Sequence, residues 1–409
     1  MNSNIPCPVK APVNMKRGLP APEQIELARP YLELPGNAPF VSASGQDWLN
    51  YGGMQGLPEV RKLFGPLLLG VPAEQVVVGE NSSLALMHEA FGHAWVRGFP
   101  GHAPWAQAER VKFICPEPGY DRHFAICEYF GIEMLPIPLG PQGPDMAQVE
   151  ALVASDPSIK GMWCVPRHAN PNGAMYSDQV IQRLANMPTA SPDFHLWWDN
   201  AYAVHDFQPG LPATANILDA CTQAGNPTRP LLFASTSKML IPGAGLAFFG
   251  ACPALVSWWL ACREYKTIGP DKVNQVRHLR FFRTPQGVLE HMAQQGVMLK
   301  AKFDAVESIF RERFAGLPGV TWSTPTGGYF VCLQVPDGLA RQVVELAQEA
   351  GVLMTPAGAT HTGGYDPRDS TLRIAPSYLE LEVVKQAAEV IAHAVCLACA
   401  RRGSGNGVS

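Results

Sequence analysis

The chain has 409 residues, 47% of them hydrophobic and 16% charged, with a formal net charge of -4. That length supports a sizeable core and two domains, since single cores seldom grow past roughly 300 residues. The slight acidity argues against a general nucleic-acid or anionic-membrane binder and favours small molecules or another protein as partners.

The opening segment, MNSNIPCPVKAPVNMKRG, is broken by prolines and lacks the continuous apolar core of a secretory signal. Its low regularity predicts an arm over residues 1–47, packed on a later unit or on a partner. From about residue 76 to 250, short β-branched or aromatic runs alternate with segments of helical period. The predicted strands are 76–78, 111–115, 133–137, 162–165, 195–198, 231–234 and 247–249, with helices such as 83–95, 146–154 and 177–186 between them. Apolar runs without clean polar alternation fit a mostly parallel seven-stranded sheet covered on both faces, in a large domain over 48–285. The pattern then changes: a long helix near 286–314 leads into GVTWSTPTGGYFVCLQV, a helix near 339–350, a strand ending near Ile374 and a last helix from about Leu379. This reads as a smaller α/β domain over 286–409, ending in a disordered tail, RRGSGNGVS.

The ten cysteines, Cys7, Cys115, Cys127, Cys164, Cys221, Cys252, Cys262, Cys332, Cys396 and Cys399, lie mostly in apolar runs and read as free thiols of a reducing compartment. Cys396 and Cys399 form a C-x-x-C pair inside the pattern of the last helix, with no second pair nearby to complete a zinc site, so no metal is expected. PALVSWWLA reads as the longest apolar stretch and is too short to cross a bilayer. A cytoplasmic protein without membrane or nucleic-acid partners is the expectation.

Ligands on a parallel sheet lie beyond the carboxyl ends of its strands. Several polar residues collect there. Asn81, Ser82 and Ser83 follow 76–78, Tyr120 follows 111–115, Asn170 follows 162–165 in HANPNG, Asp199 follows FHLWW with Tyr202 three positions on, and Ser235, Ser237 and Lys238 follow LLFA. Taken singly, Asp199 also fits a turn cap, Tyr202 a core tyrosine, Asn170 a turn residue, Ser82 a helix cap and Lys238 a solvated surface lysine. Together they match one chemistry. Pyridoxal 5'-phosphate needs an amine to hold its aldehyde, which also removes a buried lysine charge. A carboxylate keeps the pyridine nitrogen protonated, a phenol and an amide tune the ring hydroxyl, an aromatic plate covers the ring, and a helix start with hydroxyls cradles the phosphate. The sequence has neither the Gly-x-x-x-x-Gly-Lys-Ser/Thr loop nor a Gly-x-Gly-x-x-Gly after a strand.

NYGGMQGLPEVRKL, ENSSLAL, PGYDRH, NPNG, DNAY, STSK and LRIAPS in this order resemble the class I and II aminotransferases of fold type I. STSKMLIPGAGLAFF and TIGPDKVNQ resemble the atypical aspartate aminotransferase subgroup with a MocR-like aminotransferase domain, here without a leading helix-turn-helix domain. The resemblance implies that Lys238 forms the Schiff base and shuttles the substrate proton. It implies further that Arg373 clamps the substrate α-carboxylate and that Asn170 touches that carboxylate and the ring hydroxyl. Tyr51 would reach the phosphate of a neighbouring subunit, which implies a homodimer with shared active sites. Arg17 and Gly18 match the segment that closes over substrate. The family's usual phosphate arginine, about eight residues after the lysine, is replaced by Leu246; Lys272 is one candidate to supply that charge. The expected reaction is transfer of an amino group from an amino acid such as aspartate to the 2-oxo acid 2-oxoglutarate, with Arg280, Arg17 or His205 as candidate second cations. A pyridoxal phosphate β-lyase, an aromatic or kynurenine-type aminotransferase, and a non-catalytic ligand-binding module are the alternatives.

Overall fold

Val76, Val77 and Val78 are all buried, as are Leu231 to Ala234 and Leu196 to Trp198, which is the burial a strand needs when both faces of its sheet are covered. The computed structural model describes residues 12–33, 40–42, 45, 47–79 and 81–405, with side chains to residue 402. Its strands are β1 (Val13–Asn14), β2 (Val76–Gly79), β3 (Lys112–Glu117), β4 (Glu133–Gly140), β5 (Gly143–Pro144), β6 (Ile159–Cys164), β7 (His195–Asp199), β8 (Pro230–Ser235), β9 (Ala247–Gly250), β10 (Thr321–Trp322), β11 (Val331–Gln334), β12 (Val352–Leu353) and β13 (Thr371–Ile374).

Eight strands form the main sheet in the order β2-β9-β8-β7-β6-β3-β4-β5. The seven expected strands are present, and the eighth is the two-residue edge strand β5. Strands β4, β3, β6, β7 and β8 pair in parallel, while β9 runs against both β8 and β2. Two reversals leave β2 pointing the same way as β8. The carboxyl ends of β2, β3, β6, β7 and β8 therefore share one edge.

Helices cover the sheet, and their aromatic residues fix it in place. Phe91, on the helix Ser83–Arg97, meets Trp197 at 4.1 Å and Trp163 at 5.3 Å between ring centroids. A second hydrophobic cluster gathers the second half of the long helix Pro285–Arg313, the antiparallel sheet β10-β11-β13 and the helices Ala340–Glu349 and Leu381–Gly405. The N-terminal arm divides between the two clusters: β1 pairs in parallel with β12 and Val13 and Met15 are buried in the second, whereas Ala28 and Tyr31 pack into the cluster of the main sheet.

Two expectations need correction. Residues 401–405 of the tail continue the last helix, while 406–409 of the tail lie outside the described residues, as does Cys7. PALVSWWLA is also not the most membrane-like segment, because Leu381–Arg402 has the length and a mean hydropathy of 1.5 that a span would need. Half of it is nevertheless buried inside the protein. Val384, Ala388, Ile391, Val395 and Ala398 form its inward stripe at helical spacing. The nine described cysteines are free thiols, and all but Cys396 and Cys399 are buried.

Candidate active site

The shared strand edge opens into a cavity of about 630 Å³. It brings together Ser82 and Ser83 after β2, Tyr120 after β3, Asn170 after β6, Asp199 and Tyr202 from β7 onward, and Ser235, Ser237 and Lys238 from β8. The opposite wall carries Arg17, Gly18, Phe330, Thr355 and Arg373. Most of the expected site residues thus converge. Asn81 and Tyr51 do not line this cavity: Asn81 is exposed, with its carbonyl accepting the Ser237 hydroxyl, and Tyr51 is 82% exposed.

Asp199 ends an apolar strand with its side chain almost wholly buried. Its Oδ2 accepts a hydrogen bond from His123 Nε2 at 3.0 Å, while its Oδ1 is buried without a partner. A carboxylate can only accept, so Nε2 carries the hydrogen. His123 lies one helical turn after Tyr120 on the helix Asp121–Tyr129. Its ring stacks on Trp163 at 4.1 Å and 7° and meets Tyr120 edge-on at 5.0 Å.

Lys238 is half-buried on the cavity wall, with Nζ 5.1 Å from the centre of the Tyr202 ring. Burial pulls its pKa below the ordinary lysine value, and Asp199 opposes that shift. The small cluster contributes Tyr329, which donates to the Lys238 carbonyl at 2.8 Å and fixes the lysine's backbone. Burial raises Tyr202 well above an ordinary phenol and, with help from Asp199 and Asp121, pushes Tyr120 up to about 12. Both hydroxyls keep their protons at neutral pH.

Arg373 sits in the middle of β13, buried, with its guanidinium 5.1 Å from the centre of the Phe330 ring. Its Nη1 donates to Asp121 Oδ1 at 3.0 Å and to Asn170 Oδ1 at 3.3 Å, and Nε donates to Thr355 Oγ1 at 3.4 Å. Gly18 is required beside this clamp, because a Cβ there would stand 2.6 Å from Phe330 Cζ.

The turn between β8 and β9 explains the absent arginine. Leu246 is buried and pairs with Thr236: Thr236 N donates to Leu246 O and Leu246 N to Thr236 Oγ1, each at 2.8 Å. His278 Nε2 faces the same hydroxyl at 2.8 Å. A charge at position 246 would be buried in the hairpin.

Three candidate cations fall elsewhere. Lys272 Nζ donates to Asn50 O at 2.5 Å and is absent from the cavity wall. Arg280 packs over the Phe40 ring. His205 is buried behind Tyr202, and burial lowers its pKa to about 3, so it is neutral. The missed residues are His123, Asp121, Arg122, Thr355 and Phe330. PGYDRH held a signal for His123, since positions three apart on a helix share a face.

An aspartate aminotransferase family profile matches residues 10–406. The chain belongs to that family. A Mycolicibacterium smegmatis protein named provisionally as an aminotransferase is 46% identical over 389 residues, covering 94% of this chain and 91% of its own. An aspartate aminotransferase of Corynebacterium glutamicum is 42% identical, covering 95% and 90%. The crystal structure of an aspartate transaminase from that organism superposes with a TM-score of 0.93 over 96% of this chain and 92% of its own. The enzyme is an aminotransferase of fold type I, a family that works with pyridoxal 5'-phosphate. The cavity fits that group chemically: the unpartnered Asp199 Oδ1 matches a pyridinium N–H, Lys238 supplies an amine, and the serines flank a helix start with free backbone N–H groups.

Proposed function

We propose that this aminotransferase moves the amino group of aspartate to 2-oxoglutarate, in a homodimer whose two sites are shared. The observation that carries the chemical part is Asp199, locked by His123 through one oxygen and left with the other unpartnered in the cavity that Lys238 lines. The aspartate preference draws on the printed names of the relatives.

Bound pyridoxal phosphate supplies an electron sink for the carbanion that forms when the substrate loses its α-proton. The residues of this chain do the rest. Arg373 receives the α-carboxylate through its planar fork, held in orientation by Asn170, Thr355 and Phe330. Asp199 Oδ1 would accept the N–H of the ring nitrogen and so keep that nitrogen protonated. Lys238 Nζ would take the α-proton and deliver it to C4′ of the cofactor, across the bridging nitrogen from the α-carbon, a task favoured by the lowered pKa that leaves more of the amine neutral. Tyr202 and Asn170 would act at the ring hydroxyl, and Tyr120 would cover the ring face. Ser82, Ser83, Ser235 and Ser237 would hold the phosphate, with Asn81 fixed to Ser237. Arg17 and Gly18 close the cavity and exclude water.

Tyr51 works in trans in this reading. It lies on a loop anchored by Lys272 at Asn50, next to the exposed Leu49 and with Gly52 close to Gly269, whose neighbour Ile268 is also exposed. A second copy covering that face would place Tyr51 near its partner's phosphate. In this reading 48–285 is the cofactor-binding domain and the long helix with the chain after it is the smaller one, to which the arm contributes β1. Product analysis tests the reaction: aspartate should yield glutamate only when 2-oxoglutarate is present. Ammonia and pyruvate from a β-substituted donor, without glutamate, would replace it with a lyase.

A further inference from the structure

A dicarboxylic substrate needs a second cation beside the α-carboxylate clamp. Lys16, Arg17, Arg122, Lys238 and Arg373 line the cavity, against Asp121 and Asp199. The two carboxylates are already engaged, Asp121 by Arg373 and Asp199 by His123. Lys238 and Arg373 have the roles given above. Arg122 has none. It makes no ion pair or hydrogen bond with any described residue, and it is exposed on the cavity wall.

Its position separates it from Lys16 and Arg17. Arg122 stands in the first turn of the helix Asp121–Tyr129, directly after the aspartate that bonds Arg373. Its charge and that of Arg373 both act on the Tyr120 hydroxyl, lowering a pKa that burial raises. Lys16 and Arg17 belong to a segment without helix or strand. A site carried on a regular element holds its geometry better than one on a loop.

We propose that Arg122 receives the side-chain carboxylate of the dicarboxylic substrate and so sets the preference for acidic over neutral amino acids. This rests on the transaminase reading above and deepens it. The guanidinium is always charged and offers two parallel N–H donors to a carboxylate. An unpaired guanidinium pays no cost in broken partners when such a substrate arrives.

The test compares wild type, Arg122→Gln, Arg122→Lys and Arg17→Gln as holoenzymes. Single-turnover kcat/KM is measured with L-aspartate and with L-alanine, and melting temperature with succinate and with acetate. Arg122→Gln should lower the aspartate-to-alanine ratio on the order of 10- to 100-fold, the worth of a hydrogen-bonded charge pair, with Arg122→Lys between it and wild type. Arg122→Gln should also lose the succinate stabilisation seen in wild type. An unchanged ratio with succinate binding retained, or a selective loss confined to Arg17→Gln, overturns the assignment. If wild type converts no aspartate, the transamination reading falls and the succinate contrast alone decides the role of Arg122.

Discussion

His123 Nε2 and Asp199 Oδ2 stand 3.0 Å apart with both side chains almost fully buried. The pair explains how a carboxylate at the end of an apolar strand keeps one defined orientation. His123 is itself locked between Trp163 and Tyr120. It acts as a positioning residue.

Replacing His123 by Phe should leave Asp199 without its donor and lower turnover by about 10- to 100-fold, as loss of an outer-shell partner does in comparable sites. It should also shift the pH at which the bound cofactor's visible absorbance titrates. His123→Asn, which retains a donor, should recover part of both. Loss of turnover with no spectral shift and no recovery in the Asn variant would reduce His123 to packing.

Stability should fall with acid well before the carboxylates titrate. Burial lowers His195 and His278 to about 4 and His205 to about 3, against an ordinary value near 6.5. A lowered folded pKa means that the unfolded chain binds more protons between those values. Their contribution is therefore complete above about pH 6.5 and is lost as pH falls toward 4. Each histidine adds a slope approaching 1.4 kcal/mol per pH unit in the middle of that window. Urea unfolding at pH 7.5, 6 and 5 checks this, and stability independent of pH across the series would contradict it.

The trans role of Tyr51 predicts a dimer in sedimentation and cofactor affinity weakened about 10-fold in Tyr51→Phe, the cost of one hydrogen bond to a charged group. Mixing inactive Lys238→Ala protein with a Tyr51→Ala variant should regenerate activity, because one hybrid site then has both native residues. A monomer with full activity would rule out shared sites.

Much of this site was legible because a parallel sheet converts sequence order into spatial position. Once 162–165, 195–198 and 231–234 read as parallel strands, Asn170, Asp199 and Lys238 had to share an edge. The residues that escaped depend on distance across the fold. Arg373 to Asp121 spans 252 positions, and nothing local in GYDRH marks Asp121 as its partner. His205 read as a free cation because burial behind Tyr202 is a tertiary fact. Lys272 was legible as an unusual lysine, but its bond to the Asn50 carbonyl depends on how two loops meet. The helical tail escaped for a different reason: Gly403, Ser404 and Gly405 weaken propensity, and the long apolar helix before them carries the turn onward.

The central claim is that Lys238 works as the proton carrier of an aspartate-consuming aminotransferase. Its most direct test is a single-turnover mixing of holoenzyme with L-aspartate, following the visible absorbance of the bound cofactor, in wild type and in Lys238→Ala loaded with the same cofactor. Wild type should convert fully to the aminated cofactor with release of oxaloacetate, and Lys238→Ala should bind aspartate yet convert it at least about 10²-fold more slowly, the worth of a positioned general base. Equal conversion rates in the two proteins would contradict the account.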